Sequence, residues 1–197
     1  MDQSSLHYQV INNFFDIFSL PSALKLLDKL LHSAASRRIW PGPIPANAVY
    51  FVEKLTRLSA SAFGITAEKS FLSVVTIDPG EADDLWALTR YETYCGRHRH
   101  STPWHYFPRS LSQHDFCNPY STLSQFTQYQ TEEVWKETLG NLLHFALTPH
   151  TILELDENLN LLDIRLQLHK LIEAAHLIGV RSWPDGKRMH FNGPGIA

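Results

Sequence analysis

Residues 151–193, TILELDENLNLLDIRLQLHKLIEAAHLIGVRSWPDGKRMHFNG, carry the clearest architectural signal in the chain. Thr151 stands three residues before Glu154, a spacing typical of a helix start because the two side chains can cap backbone N–H groups reciprocally. A second helix is predicted to begin at Asp163 and to end at Gly179, since Asp favours the N-cap and Gly the C-terminal cap. Its apolar residues fall on one face at helical spacing: Ile164, Leu168, Leu171, Ala175 and Ile178.

The end of this segment predicts a β-hairpin. Apolar and polar residues alternate at 180–182 and again at 189–191, and a Pro-Asp-Gly turn at 184–186 separates the two runs. Helix, turn, helix and hairpin within residues 151–191 resemble the winged helix-turn-helix module of bacterial regulators. The resemblance implies that the helix at 163–178 lies in the major groove of DNA and that the hairpin wing contacts the backbone.

The same resemblance implies a set of DNA-contacting side chains. The recognition-like helix and the wing together offer Arg165, His169, Lys170, Arg181, Lys187 and Arg188. Most of these suit phosphate contacts, and Arg165 also suits a base edge.

The charge of the C-terminal part argues against strong DNA binding. Residues 131–197 contain six Lys and Arg against nine Asp and Glu, which leaves a net charge of −3. Phosphate neutralisation supplies much of the affinity for DNA, and Asp156, Glu157 and Asp163 would repel the groove. Winged helices also serve as protein-interaction modules, so that alternative stays open.

The rest of the chain predicts helices and one long loop. Helical periodicity and start signals mark six segments: 5–19, 22–36, 47–63, 79–95, 121–129 and 131–148. Gly64 is expected to cap the third of them, and the β-prone residues 69–77 are weighed as helix or strand, with helix favoured. The predicted fold class is therefore mainly α, with an N-terminal helical bundle (1–95), a His- and aromatic-rich connecting loop (96–120) and a C-terminal winged-helix-like region (121–197) that carries a small β-hairpin.

Both cysteines of the chain lie in CGRHRHSTPWHYFPRSLSQHDFC, residues 95–117. Cys95 and His98 are three residues apart, and His114 and Cys117 repeat that spacing in reverse. Two such pairs facing each other would supply the four nitrogen and sulfur donors of a tetrahedral zinc site. The order of the ligands is unusual for a zinc finger, and a buried small hydrophobic role for Cys95 is the alternative.

Composition restricts the function classes further. The chain has 44% hydrophobic and 19% charged residues and a formal net charge of −3, which is typical of a globular protein. The absence of a signal peptide and of a long apolar run predicts a cytoplasmic protein that does not contact membranes. The sequence lacks the common nucleotide-binding, nucleophile-elbow and metalloprotease motifs, so no catalytic residue is assigned.

Three functions remain as hypotheses. The first is a non-enzymatic DNA-binding regulator whose helical region dimerises or senses. The second is a protein-interaction or assembly module, with a protein partner or a homo-oligomer. The third is a zinc-stabilised helical protein.

Overall fold

A computed structural model of the chain describes residues 3–42, 44–69, 71–78, 80, 103–156 and 159–182. These residues form seven α-helices, linked by loops and short 3₁₀ turns. The helices are α1 (Gln3–Ile17), α2 (Leu20–Ala34), α3 (Pro45–Glu68), α4 (Gln113–Cys117), α5 (Pro119–Tyr129), α6 (Glu132–Ala146) and α7 (Leu161–Arg181). The 3₁₀ turns are Ser73–Val75, Pro103–Tyr106 and Ile152–Glu154.

Helices α1 and α2 follow each other along α7. The ring of Phe15 in α1 lies 5.0 Å from the ring of His176, and Asp28 in α2 accepts a 2.8 Å hydrogen bond from Arg165. The earlier residue, Phe15, contacts α7 near its end, and the later residue, Asp28, contacts α7 near its start. Both helices are antiparallel to α7.

Helix α3 is antiparallel both to α1 and to α5. His7 near the start of α1 lies 3.4 Å from Glu68 at the end of α3. On the other side, the ring of Phe126 in α5 lies 6.2 Å from that of Phe63, and Tyr120 accepts a hydrogen bond from the backbone just beyond α3, at Leu72.

The described helices therefore form an up-down-up-down bundle of four members. Two members are continuous single helices, and each of the other two is broken into two successive helices. The continuous members are α3 and α7; the broken members are α1 with α2 and α5 with α6. Helix α5 packs on α3 and α7, and α6 packs on α3 and, across the bundle, on α2. Neighbouring members are antiparallel, so the loop after α2, the loop after α6 and the starts of α3 and α7 lie at the same end.

One hydrophobic core runs through the bundle, with buried residues from Ile11 to Ile178. Trp135 at the start of α6 is completely buried and stacks on Phe126 with ring centroids 4.5 Å apart. Helix α7 is the most enclosed, because every residue from 171 to 179 is buried. A helix that is covered on all sides must be apolar or have its polar groups paired.

Several predicted helix signals are confirmed. Thr131 caps α6, where its side chain accepts a hydrogen bond from the Val134 amide. The five apolar residues predicted for one face of the last helix are all buried. That helix is capped one turn earlier than expected, because Asn160 rather than Asp163 is the N-cap and accepts from the Asp163 amide.

The predicted fold class is wrong in its winged-helix-like part. The described residues contain no strand, and α7 continues through Val180 to Arg181, where the first hairpin strand was expected. Burial explains the difference: α1, α5 and α4 cover this end of α7, so the favourable packing of a helix outweighs the β preference of single residues. The Pro-Asp-Gly turn and the second strand, at 184–191, lie outside the described residues.

Two glycines predicted to end helices lie inside them. Gly64 lies within α3, which ends at Glu68 and is capped by Lys69 in the left-handed conformation (φ 49°). Gly179 lies within α7, where a Cβ would come within 3.3 Å of Ile11 on α1. Both allow another helix to approach closely. The helix favoured at 69–77 is only the 3₁₀ turn Ser73–Val75, and the one predicted from Thr151 is only the turn Ile152–Glu154.

Gly64 and Gly140 provide a matched pair of Gly→Ala substitutions. We expect Gly140→Ala to raise the free energy of unfolding by about 0.5–1 kcal/mol, because alanine favours the helix and nothing lies within 4 Å of the added Cβ. The same substitution at Gly64 places the Cβ 2.1 Å from the His7 ring. The ring must then move, and overpacking costs about 1–3 kcal/mol.

Urea denaturation of both variants checks this prediction. Gly64→Ala should lower stability while Gly140→Ala raises it, and adding His7→Ala to Gly64→Ala should recover part of the loss. Equal effects at the two positions would contradict the close contact between α1 and α3.

None of the helices in the described part of the chain combines the length and the hydropathy that crossing a membrane requires.

Candidate functional site

Two of the predicted DNA-contacting residues instead join α7 to α2. Arg165 donates through Nε and Nη2 to the two carboxylate oxygens of Asp28, at 2.8 and 3.3 Å. His169, one turn further on, has its Nε2 2.9 Å from the same carboxylate. Burial alone raises the pKa of Asp28, but the hydrogen bonds from Arg165 and His169 outweigh it and hold that pKa below its ordinary value.

Glu173 lies one turn beyond His169 on α7 and continues the row of polar side chains formed by Arg165 and His169 into the interior. It is 1% exposed, and its two carboxylate oxygens accept hydrogen bonds from the Arg109 and Ser110 amides at 2.9 and 2.8 Å. Burial raises the pKa of Glu173, and these bonds together with nearby His169 only partly offset that effect. The Glu173 carboxylate therefore fixes the 107–112 loop over α7. We assign a structural role to the polar row of Arg165, His169 and Glu173.

Arg181 and Lys170 are also engaged with the protein itself. Arg181 is buried; its Nη1 donates to the carbonyls of Val75 and Phe116, at 3.1 and 2.7 Å, and its guanidinium lies 4.6 Å from the centre of the Phe116 ring. Lys170 is partly buried, and its charge helps to lower the pKa of Asp115. The remaining two predicted DNA contacts, Lys187 and Arg188, lie outside the described residues.

The predicted metal ligands are only partly described. Cys95 and His98 lie outside the described residues. His114 and Cys117 both belong to α4, but the His114 side chain is 76% exposed whereas Cys117 is buried beside Phe116 and Leu177. Within the described ranges, no three His, Cys, Asp or Glu side chains are grouped to hold a metal ion. Zinc binding therefore stays a prediction.

Exposed aliphatic side chains gather at the end of the bundle where α3 and α7 begin. The Trp40 amide donates to the Ala146 carbonyl at 2.8 Å, which joins the loop after α2 to the end of α6. Arg37 lies 3.7 Å from Glu154, which joins α2 to the loop before α7. This surface, called the apolar end below, comprises Ile39, Ile44, Val49, Leu153, Leu155 and Leu162, which are 39–71% exposed.

The charges around the apolar end are of both signs. Arg37, Arg38, Glu154 and Asp156 are all exposed there, and Arg37 pairs with Glu154. Glu154 also lies 3.1 Å from His150. A surface that combines large aliphatic side chains with a rim of mixed charges is typical of a protein–protein interface.

The apolar end was not among the surfaces predicted from the sequence, although the sequence carries one signal for it. The start of α7 carries leucines on both faces: Leu161 packs against the core, while Leu162 and Leu166 are exposed at 71% and 42%. A helix start that is apolar on more sides than one core can cover indicates a second contact surface.

Comparison of the chain with protein-family models, with curated proteins and with solved structures gave no match.

Proposed function

We propose that this protein is a helical assembly module that associates with a second copy of itself through the apolar end. The observation that carries the proposal is the concentration of exposed aliphatic residues at one end of the bundle, with Leu155 and Leu162 exposed at 61% and 71%. Burying such residues releases roughly 25 cal/mol per Å² of apolar surface, so their exposure in an isolated chain is unfavourable.

The mixed charge around the apolar end supports a second copy as the partner. Arg37 and Glu154 lie 3.7 Å apart within one chain, so the rim holds both signs of charge close together. A uniformly acidic or basic partner would meet like charges there, whereas an identical surface brings charges of both signs. Closed two-fold association of identical surfaces is also the commonest form of soluble oligomer.

DNA binding through the residues first predicted for it has less support. Arg165 and His169 would have to leave Asp28, and Arg181 would have to leave two backbone carbonyls inside the protein. The buried hydrogen bonds of Arg181 are worth about 1.5–3 kcal/mol apiece, whereas the half-exposed Arg165–Asp28 pair is worth at most about 1 kcal/mol. The interaction hypothesis requires no such rearrangement.

Substituting Leu155→Lys together with Leu162→Lys is expected to convert a dimer into a monomer, because two leucines that the dimer would bury become charged groups in an apolar contact. Sedimentation velocity across a wide concentration range measures the change. Both side chains are exposed in the single chain, so the variant should stay folded, and its thermal unfolding should match that of the wild-type chain at concentrations where the dimer has dissociated.

A matched control places the same charges elsewhere. Leu6→Lys with Val134→Lys alters two exposed aliphatic residues outside the apolar end, on α1 and α6, which are 50% and 41% exposed. This double variant should leave the dimer intact. A wild-type chain that sediments as a monomer at every concentration would refute the proposal, as would equal dissociation of both double variants.

A further inference from the structure

Helix α2 exposes basic residues along one side. Its most exposed positions include Lys25, Lys29 and His32, which are spaced four and three residues apart and so share one face. Arg37 and Arg38 are exposed just after the helix ends. From Lys25 to His32 the helix spans about 10 Å. These five residues are called the basic face below.

The only carboxylate of α2 does not cancel this charge. Asp28 lies between Lys25 and Lys29 in sequence, but it is bound by Arg165 and His169 from α7. The bidentate Arg165–Asp28 pair has no net charge, so both lysines keep their full positive charge next to it. The side chains of α7 therefore neutralise the one carboxylate of α2. Within the part of the chain that the structure describes, the only ion pair of the basic face itself joins Arg37, after the helix end, to Glu154.

The positive charge is local, because the chain as a whole is acidic. The formal net charge is −3, and α6 exposes Glu132, Glu133 and Glu137. A row of cations on an acidic protein is the pattern expected of an oriented electrostatic contact, since the remaining surface repels the same ligand.

We propose that the basic face binds the phosphate backbone of a nucleic acid without reading its sequence. A line of cations matches a line of phosphates, which hold most of the affinity in such contacts. The exposed positions of α2 include no large apolar residue, so this helix has nothing to insert into a bilayer, as an amphipathic membrane-binding helix would. Arg37 and Arg38 also border the apolar end, whereas Lys25 and Lys29 lie earlier on α2, so binding through the two lysines does not depend on self-association.

Fluorescence anisotropy with a labelled random-sequence DNA duplex at low salt tests the proposal. The wild-type chain should bind, and log Kobs should fall with log salt with a slope of about −3.6, as expected for roughly four phosphate contacts. Lys25→Gln with Lys29→Gln should weaken binding at least about tenfold and reduce the slope by about 2, because two counterion-releasing contacts are lost.

Lys69→Gln with Lys136→Gln is the control, because it removes the same charge from exposed positions on other faces. It should leave the affinity within about twofold of wild type if binding is local rather than a response to net charge. Equal weakening by both double variants would overturn the proposal, and so would an absence of duplex binding. Equal or tighter binding to phosphatidylserine vesicles would overturn the assignment to nucleic acid.

Discussion

Glu173→Ala is expected to lower the free energy of unfolding by about 3–5 kcal/mol, because it removes a buried acceptor and leaves its donors unpaired. Both oxygens of this carboxylate hold backbone amides, those of Arg109 and Ser110. Without them the 107–112 loop loses its anchor on α7. Chemical denaturation measures the loss, and hydrogen exchange at the amides of Arg109 and Ser110 should accelerate beyond the change in global stability.

Glu173→Gln separates the anchor from the charge. It keeps one acceptor oxygen but turns an amide NH₂ toward the other backbone donor, so we expect a smaller loss, about 1–2 kcal/mol. A loss equal to that of the alanine variant would show that the charge, rather than the acceptors, holds the loop. No loss in either variant would contradict the described contacts of Glu173.

The comparison of wild type with Glu173→Gln also leads us to expect a pH-dependent difference in the free energy of unfolding. Burial raises the pKa of Glu173 above its ordinary value, so the folded chain binds this proton more tightly than the unfolded chain. The stability that Glu173 contributes is then fully present below its unfolded pKa and is lost as pH rises through its folded pKa. Wild type should therefore gain stability relative to Glu173→Gln as pH falls from neutral toward about 4.3.

Asp28 and Asp115 act in the opposite direction but cancel in this comparison. Their hydrogen bonds outweigh burial and lower their pKa values, so their contribution is present above the unfolded pKa of Asp and is lost as pH falls through the folded value. Because both proteins contain them, the difference in unfolding free energy isolates Glu173. A difference that does not change with pH would contradict the raised pKa.

The helices were largely predictable from the sequence, because local signals decide where helices form. Caps such as Thr131 and the apolar face at Ile164 and Leu168 need only neighbouring residues to act. Gly64 and Gly179 were misread because glycine has two uses, and only the packed structure distinguishes a helix end from a site where another helix approaches. The hairpin expected at Val180 failed for a related reason, since burial at that end of α7 is a tertiary property.

The candidate surfaces were less predictable. The basic residues of the last helix were read as free to meet DNA, but Asp28, more than a hundred residues away, binds two of them. The lysines of α2 were overlooked even though Lys25 and Lys29 are at helical spacing, because only the bundle shows that their side of α2 is exposed. Exposure at Leu155 and Leu162 depends equally on where neighbouring helices lie.

Arg181→Met tests most directly whether the end of α7 is an interior element or a surface for DNA. The methionine retains much of the apolar stem, but it leaves the carbonyls of Val75 and Phe116 without their donor. Loss of a buried, charge-assisted pair of hydrogen bonds should lower the free energy of unfolding by about 2–4 kcal/mol. Denaturation in urea gives this value.

The location of the loss distinguishes the two interpretations. Arg181 joins α7 to the 3₁₀ turn at Ser73–Val75 and to α4, and the Ile77 amide donates to the Cys117 carbonyl in the same region. Hydrogen exchange at Ile77 should therefore accelerate in Arg181→Met, and less in Arg181→Lys, because lysine keeps a charged donor but loses the planar contact with Phe116. A phosphate-contacting arginine on the surface would change neither stability nor this exchange rate, so an unaltered Arg181→Met chain would return Arg181 to the DNA-binding interpretation.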